Sequence, residues 1–331
     1  MLTSPTAPHK TCPVKKKAAV MTAPSLFTLS ASFLGIPSGP PRADTRAAIL
    51  GVPFDCGIHP FRIGSREGPA FVRAQSPLIR RHHPSLADFD ILGALGAVDC
   101  GDVAGITPGK LVEAHPRIEA AATAILDAGA VPIGIGGDGS VSLPLMRAAA
   151  KRYPGLVALH VDSHTDAYPY NPDDPYDASN QFTHAAEEGL VDASSTWHVG
   201  IRGFTGVPGV LRHADHLGFR VLTTEDLVRR GMAQAMAEFR EVVADRPLYL
   251  CWDMDVFDPS VAPGVATPAW GGLSAREGIE LMRSLAGLNF VAADFNTVSP
   301  SHDVQNMAAS LCAHMMMEFM VLLAGRFGLL R

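Results

Sequence analysis

The sequence is short of charge, of long runs of one sign and of paired cysteines, and each shortage removes a class of protein. Charged residues make up 18% of the 331 positions, below the roughly 25% usual for soluble domains, while hydrophobic residues make up 47%. That balance excludes disorder along most of the chain and supplies enough apolar surface for a full core. Lys and Arg number 27 against 33 Asp and Glu, and no basic run extends beyond Lys15-Lys16-Lys17. The chain therefore lacks the footprint of a nucleic-acid binder. The five cysteines are scattered and show no CxxC pair, which points to neither a disulfide framework nor a zinc knuckle. The apolar C-terminal stretch is interrupted by His314, Glu318 and Arg326, so no membrane span is expected. Residues 1 to 43 contain no Asp or Glu, yet Pro24, several Ser and Thr and the near-absence of Arg make a poor secretory or transit peptide. The expectation is a cytoplasmic protein with a flexible, basic N-terminal arm over 1–45 and one domain over 46–331.

What the chain does have, from Ala47 onward, is an alternation of short apolar runs with longer amphipathic stretches. The runs Ala47–Pro53, Val131–Ile135, Leu156–Asp162, Thr196–Ile201, Arg220–Leu222, Leu248–Met254 and Phe290–Asp294 read as strands, mostly covered on both faces. Helices are predicted over Pro69–Arg81, Lys110–Ala128, Val141–Tyr153, Glu225–Ala244, Ala275–Ala286 and Gln305–Ala324. In the second of these Leu111, Ala114, Ile118, Ala121, Ala122 and Ile125 recur at helical spacing, and Gly129 stops it. This is the pattern of an α/β domain with a mainly parallel sheet.

Three polar clusters follow strands, where open parallel sheets place their ligands: Gly134-Ile-Gly-Gly-Asp-Gly-Ser140, Asp162-Ser-His-Thr-Asp166 and Asp253-Met-Asp-Val-Phe-Asp258. If the chain stays extended, Asp162, His164 and Asp166 project to one side, and Asp253 and Asp255 do likewise. Four carboxylates gathered without a cation would repel one another, and a divalent cation removes that conflict. The oxygen-rich set with one imidazole suits manganese, magnesium or nickel better than a structural zinc. Shared carboxylates could hold two ions about 3.5–4 Å apart. A lone Asp at a strand end is usually a turn former or cap, and Asp258, before Pro259, is read that way; two such motifs together are not. Gly134, Gly136 and Gly139 also match a dinucleotide fingerprint, but the motif lies mid-chain and the next strand ends in the acidic cluster rather than in an isolated ribose-binding acid.

These clusters, together with Gly51-Val-Pro-Phe-Asp-Cys-Gly57, Gly64-Ser-Arg-Glu-Gly-Pro69, Gly200-Ile-Arg-Gly203, Thr267-Pro268 and Gly271-Gly-Leu273, resemble the ureohydrolases, the arginase and agmatinase family, and within it the agmatinase branch. The resemblance implies a three-layer α/β/α sandwich around a mainly parallel eight-stranded sheet, assembled as trimers or hexamers. It implies a binuclear centre of manganese, or nickel in some guanidine-acting members, whose hydroxide attacks an amidino carbon. By position Asp162 and Asp253 would bridge the ions, His164 and Asp255 would complete one, and Asp166 would bind the other and orient the hydroxide.

Three departures stand against this. The family's Gly-Gly-Asp-His-Ser reads Gly136-Gly-Asp-Gly-Ser140 here, so Gly139 marks a lost metal position. A substrate-loop His-Gly aligns with Ala178-Ser179, and a guanidinium-holding Glu aligns with Thr297. Asn180 and a neutral Thr297 remain to read a small amidine. His184 is read as an ordinary helix residue rather than a replacement ligand, and Trp252 and Trp270 as packing. At most one ion is expected to bind well. The pattern resembles the degenerate partner in nickel-dependent assemblies that hydrolyse guanidine or dimethylbiguanide (metformin), which would place this chain beside an intact homologous subunit. The alternatives are a self-sufficient agmatinase-type or guanidinase-type hydrolase with a rearranged centre, or a non-enzymatic metal-binding regulator.

Overall fold

Where the chain runs apolar at every position for five or six residues, it forms strands buried on both sides. The computed structural model describes residues 25–28, 31–57, 61–86, 89–170, 172–173 and 175–330. Among these, nine strands join one sheet: β1 (Phe27–Thr28), β2 (Ala47–Gly51), β3 (Val98–Val103), β4 (Val131–Ile135), β5 (Val157–Val161), β6 (Trp197–Ile201), β7 (Arg220–Thr223), β8 (Leu248–Asp253) and β9 (Phe290–Asn296). They lie in the order β1-β3-β2-β4-β9-β8-β5-β6-β7, with every described pairing parallel except β1 with β3.

Alternate residues of each strand enter opposite layers. Ala47, Ile49, Leu248, Leu250 and Trp252 pack with the helices Met232–Val243, Ala275–Ser284 and Met307–Arg326. Ala48, Leu50, Tyr249 and Cys251 pack with Leu111–Asp127 and Ser142–Arg152. The result is an α/β/α sandwich, as expected, with nine strands rather than eight. The sequence reading missed β3 because Asp99, Gly101 and Asp102 interrupt its apolar run, and β1 because it is two residues long. Asp99 and Asp102 are buried or half-buried because Arg73, itself buried, reaches both: Nε and Nη2 donate to Asp99 at 2.8 Å each, and Nη1 donates to Asp102 at 2.5 Å.

Three other expectations are corrected. The stretch 1–45 is not all a free arm: Phe27 and Thr28 pair with Val103 and Asp102, and Phe33 is buried with its N–H on Asp99 Oδ2. Residues 1–24 lie outside those described. The predicted helix 225–244 is two, Thr224–Arg230 and Met232–Val243, separated by Gly231 at φ +82°, a conformation glycine adopts at little cost. Trp252 is core, but Trp270 is 75% exposed and packs little. The helix Met307–Arg326 is long and apolar enough to cross a membrane, yet 72% of its most apolar stretch is buried inside the domain.

The order of the central strands positions the polar clusters. β4, β9, β8 and β5 are adjacent, so the glycine loop, Thr297, the Asp253 cluster and the Asp162 cluster emerge side by side at one edge of the sheet.

Candidate metal centre

Both acidic motifs close by the same local bond. Asp162 Oδ1 accepts the His164 N–H at 2.5 Å, and Asp253 Oδ1 accepts the Asp255 N–H at 2.7 Å. The chain therefore bends immediately after each strand, and these turns, not a continued pleat, bring the side chains together. Ser163 joins the motifs: its N–H and its hydroxyl both donate to Asp255 Oδ1, at 3.0 and 2.8 Å. His164 Nδ1 then lies 3.1 Å from Asp255 Oδ2 and 3.3 Å from Asp162 Oδ1. Asp162, His164 and Asp255 form a set whose donor atoms could share one ion, and Asp162, Asp166 and His160 form another.

The electrostatics fit a cation site. Burial, and then the neighbouring carboxylates, hold Asp166 and Asp253 well above the usual carboxylate range and Asp255 above it. Burial also works against a charged His164, but Asp255 and Asp162 outweigh it and keep the imidazole well above its ordinary value. For Asp162 burial is outweighed by His160, and the group is held low. An imidazolium among acids is a weaker neutraliser than a divalent ion, and Asp162, His164, Asp253 and Asp255 supply oxygen and nitrogen donors of the kind such an ion takes.

The set opens onto a cavity of about 410 Å³ lined by His164, Asp166, Asp253, Asp255 and Thr297 within, with Phe204 and Val207 among its apolar wall residues. Thr297 sits at φ +65°, rare for a β-branched residue. Its N–H donates to Gly137 O at 2.7 Å and its hydroxyl donates to Asp253 Oδ1. The hydroxyl oxygen is left as an acceptor. Asp138 lines the cavity as well, but its carboxylate takes the N–H of Cys56 at 2.6 Å and of Ser140 at 3.2 Å, which makes it the cap of the turn Gly139–Val141.

Asn180 is not where the substrate-binding expectation put it. It is buried in its own loop, donating to Pro175 O at 3.0 Å and accepting the Asp177 N–H at 3.2 Å; Ala178 and Ser179 line the cavity instead. His184 Nε2 lies 2.7 Å from Pro175 O, a bond in which the ring donates, and the ring stacks on Tyr170, away from the acids. Asp258 accepts the N–H groups of Ser260, Gly271 and Gly272 and is a turn residue, as read.

The sequence reading overlooked Ser163, His160 and Gln181. His160 stands two residues before Asp162, a spacing that foretells a shared side, but it is hidden in an apolar run. Its Nε2 lies 2.9 Å from Asp162 Oδ2. Gln181 donates to Asp166 Oδ2 at 2.5 Å and stands in a polar segment with nothing to mark it.

The arginase family model matches residues 45–322. The chain belongs to the arginase family. It is 38% identical to the guanidinopropionase of Pseudomonas aeruginosa over 88% of this chain and 91% of that protein, and 33% identical to the mitochondrial agmatinase of Gallus gallus over 89% and 86%. Among solved structures, proclavaminate amidino hydrolase from Streptomyces clavuligerus superposes with a TM-score of 0.85 at 30% identity, over 92% of this chain and all of that one. These relatives fit the agmatinase-like branch, and the nucleotide-binding reading of the glycine loop falls away.

Proposed function

We propose that this chain hydrolyses the amidino C–N bond of a small guanidino compound at a rearranged centre built on Asp162, His164, Asp253 and Asp255. The convergence of Asp162, His164 and Asp255 on one point, with Asp253 joined to Asp255 and lining the same cavity, carries the reading. A divalent cation, manganese or nickel, would be held there and would make water nucleophilic near neutral pH. The relatives are named for guanidinopropionate and agmatine, which points to a linear guanidino substrate.

The chain's own residues narrow the choice. Among the described residues no Lys or Arg lines the cavity, so a carboxylate tail finds no cationic partner, and Thr297 offers a neutral oxygen to a guanidinium N–H. Phe204, Val207 and Tyr168 suit alkyl substituents. The favoured substrates are therefore guanidine and N-alkylated guanidines or biguanides. Water oxygen bonds to the amidino carbon, the C–N bond breaks, and the leaving nitrogen takes a proton. Asp166, raised by burial and by Asp162, lines the cavity and is placed to carry that proton.

A second reading is that the chain supports an intact homologous subunit in a hetero-oligomer. Gly139 favours it, since that position offers no side chain to the cluster. The two are separated by incubating the purified chain with Mn²⁺ or Ni²⁺ and guanidine, 1,1-dimethylbiguanide, agmatine and 3-guanidinopropionate, and measuring urea or guanylurea and amine. Turnover of either of the first two by the chain alone is expected. No turnover of any of them, with activity only on co-expression with a homologous subunit, would replace the first reading by the second.

A further inference from the structure

Gly139 is not a glycine for the sake of its backbone. It has no positive φ, so an ordinary residue could adopt its conformation. What a side chain would have to displace is the end of Gln181. A Cβ built at 139 would stand 2.8 Å from Gln181 Nε2, 3.0 Å from Ala178 O and 3.1 Å from Asp166 Oδ2. Any side chain there would point at the same carboxylate oxygen that Gln181 already holds.

Gln181 is 1% exposed. Its amide nitrogen donates to Asp166 Oδ2 at 2.5 Å, while its Oε1 is buried with no hydrogen-bond partner among the described residues. The next residue grips the other end of Asp166: Phe182 N–H donates to Asp166 O at 2.9 Å. The start of the helix Gln181–Glu187 thus clamps Asp166, which stands at φ +46°. A neutral amide donor satisfies a carboxylate oxygen without bringing a cation to it.

We propose that Gln181 stands in for a second cation: its amide holds the Asp166 oxygen that the second set, Asp162, Asp166 and His160, would offer an ion and occupies the room that Gly139 leaves, so the centre takes one cation, and positions 139 and 181 are a coupled pair. This inference rests on reading the acidic cluster as a cation centre. It predicts that a second cation needs both the amide removed and a donor supplied in its place. A histidine at 139 alone meets the Gln181 amide, and shortening Gln181 alone frees space but adds no donor.

The test is the number of cations per chain, by elemental analysis of the full-length protein after incubation with Mn²⁺ and gel filtration, with circular dichroism confirming the fold. Wild type, Gly139→His and Gln181→Ala are each expected to carry one, and Gly139→His/Gln181→Ala two. Two in wild type, two in Gly139→His alone, or one in the folded double variant would overturn the proposal. Should the double variant not fold, Gln181→Glu carries the test. It places a carboxylate where the amide was, and two cations are expected where one would refute. Urea release by wild type is read separately. The expected counts without turnover would defeat the functional reading and leave this one standing, and turnover with counts unaltered across the variants would do the reverse.

Discussion

At the residue scale, the proposed centre is a set of acids whose protons would compete with a cation. Asp166, Asp253 and Asp255 are raised, and His164 is raised as an imidazolium. All of these shifts favour the protonated form, and a cation must displace those protons, so affinity rises with pH and binding releases protons into solution. Titrations with Mn²⁺ at pH 6 and pH 8 in buffers of different ionisation enthalpy are expected to show tighter binding at the higher pH. Asp255→Asn should weaken binding by about 10–100-fold or more, because it alters the carboxylate that Ser163 and His164 both address. Much of this is legible in the sequence. Asp162, His164, Asp253 and Asp255 declare themselves because D-x-H-x-D and D-x-D at strand ends have few bland explanations. Gln181 is illegible because its role depends on which carboxylate folding brings beside it, and Asn180 misleads because a polar residue in an active-site loop can equally hold that loop together.

The elements are joined by buried ion pairs that periodicity does not reveal. Arg73, on the helix Gly68–Gln75, fastens that helix to β3 through Asp99 and Asp102. Arg73→Ala leaves Asp99 charged and unpaired in the interior and should cost about 3–5 kcal/mol in denaturant unfolding. Glu318, on Met307–Arg326, pairs with Arg283 on the neighbouring helix at 2.5 Å and lies 3.5 Å from His314. Burial opposes its ionisation, but His314 and Arg283 prevail and hold it at about 2, below its ordinary 4.5. A depressed carboxyl adds stability above its unfolded value and loses it as pH falls from about 4.5 toward 2. Because Arg283 is half-exposed, Glu318→Gln should cost only about 1 kcal/mol or less at neutral pH. The gap from wild type should close through that acid window in melts at stepped pH. The same kind of polar residue explains what the sequence hides at this scale. β3 cannot be read as a strand because Asp99 and Asp102 look like loop residues until Arg73 is known to face them, whereas β5 and β8, apolar to their last turn, are plain.

For the whole molecule, the arrangement of strands turns separate motifs into one site. Only the order β4-β9-β8-β5 sets the glycine loop, Thr297 and both acidic clusters along one edge. Local sequence carries the parallel class and the position of most strands, but not their neighbours, since strand order is decided by crossovers between segments far apart in the chain. The central claim is that this edge holds a single divalent cation. Crystals grown with Mn²⁺ and measured for anomalous scattering test it most directly. One peak is predicted, among Asp162, His164, Asp253 and Asp255, with none between Asp166 and Gly139. An empty map, or a second peak of similar height beside Gln181, would contradict the account.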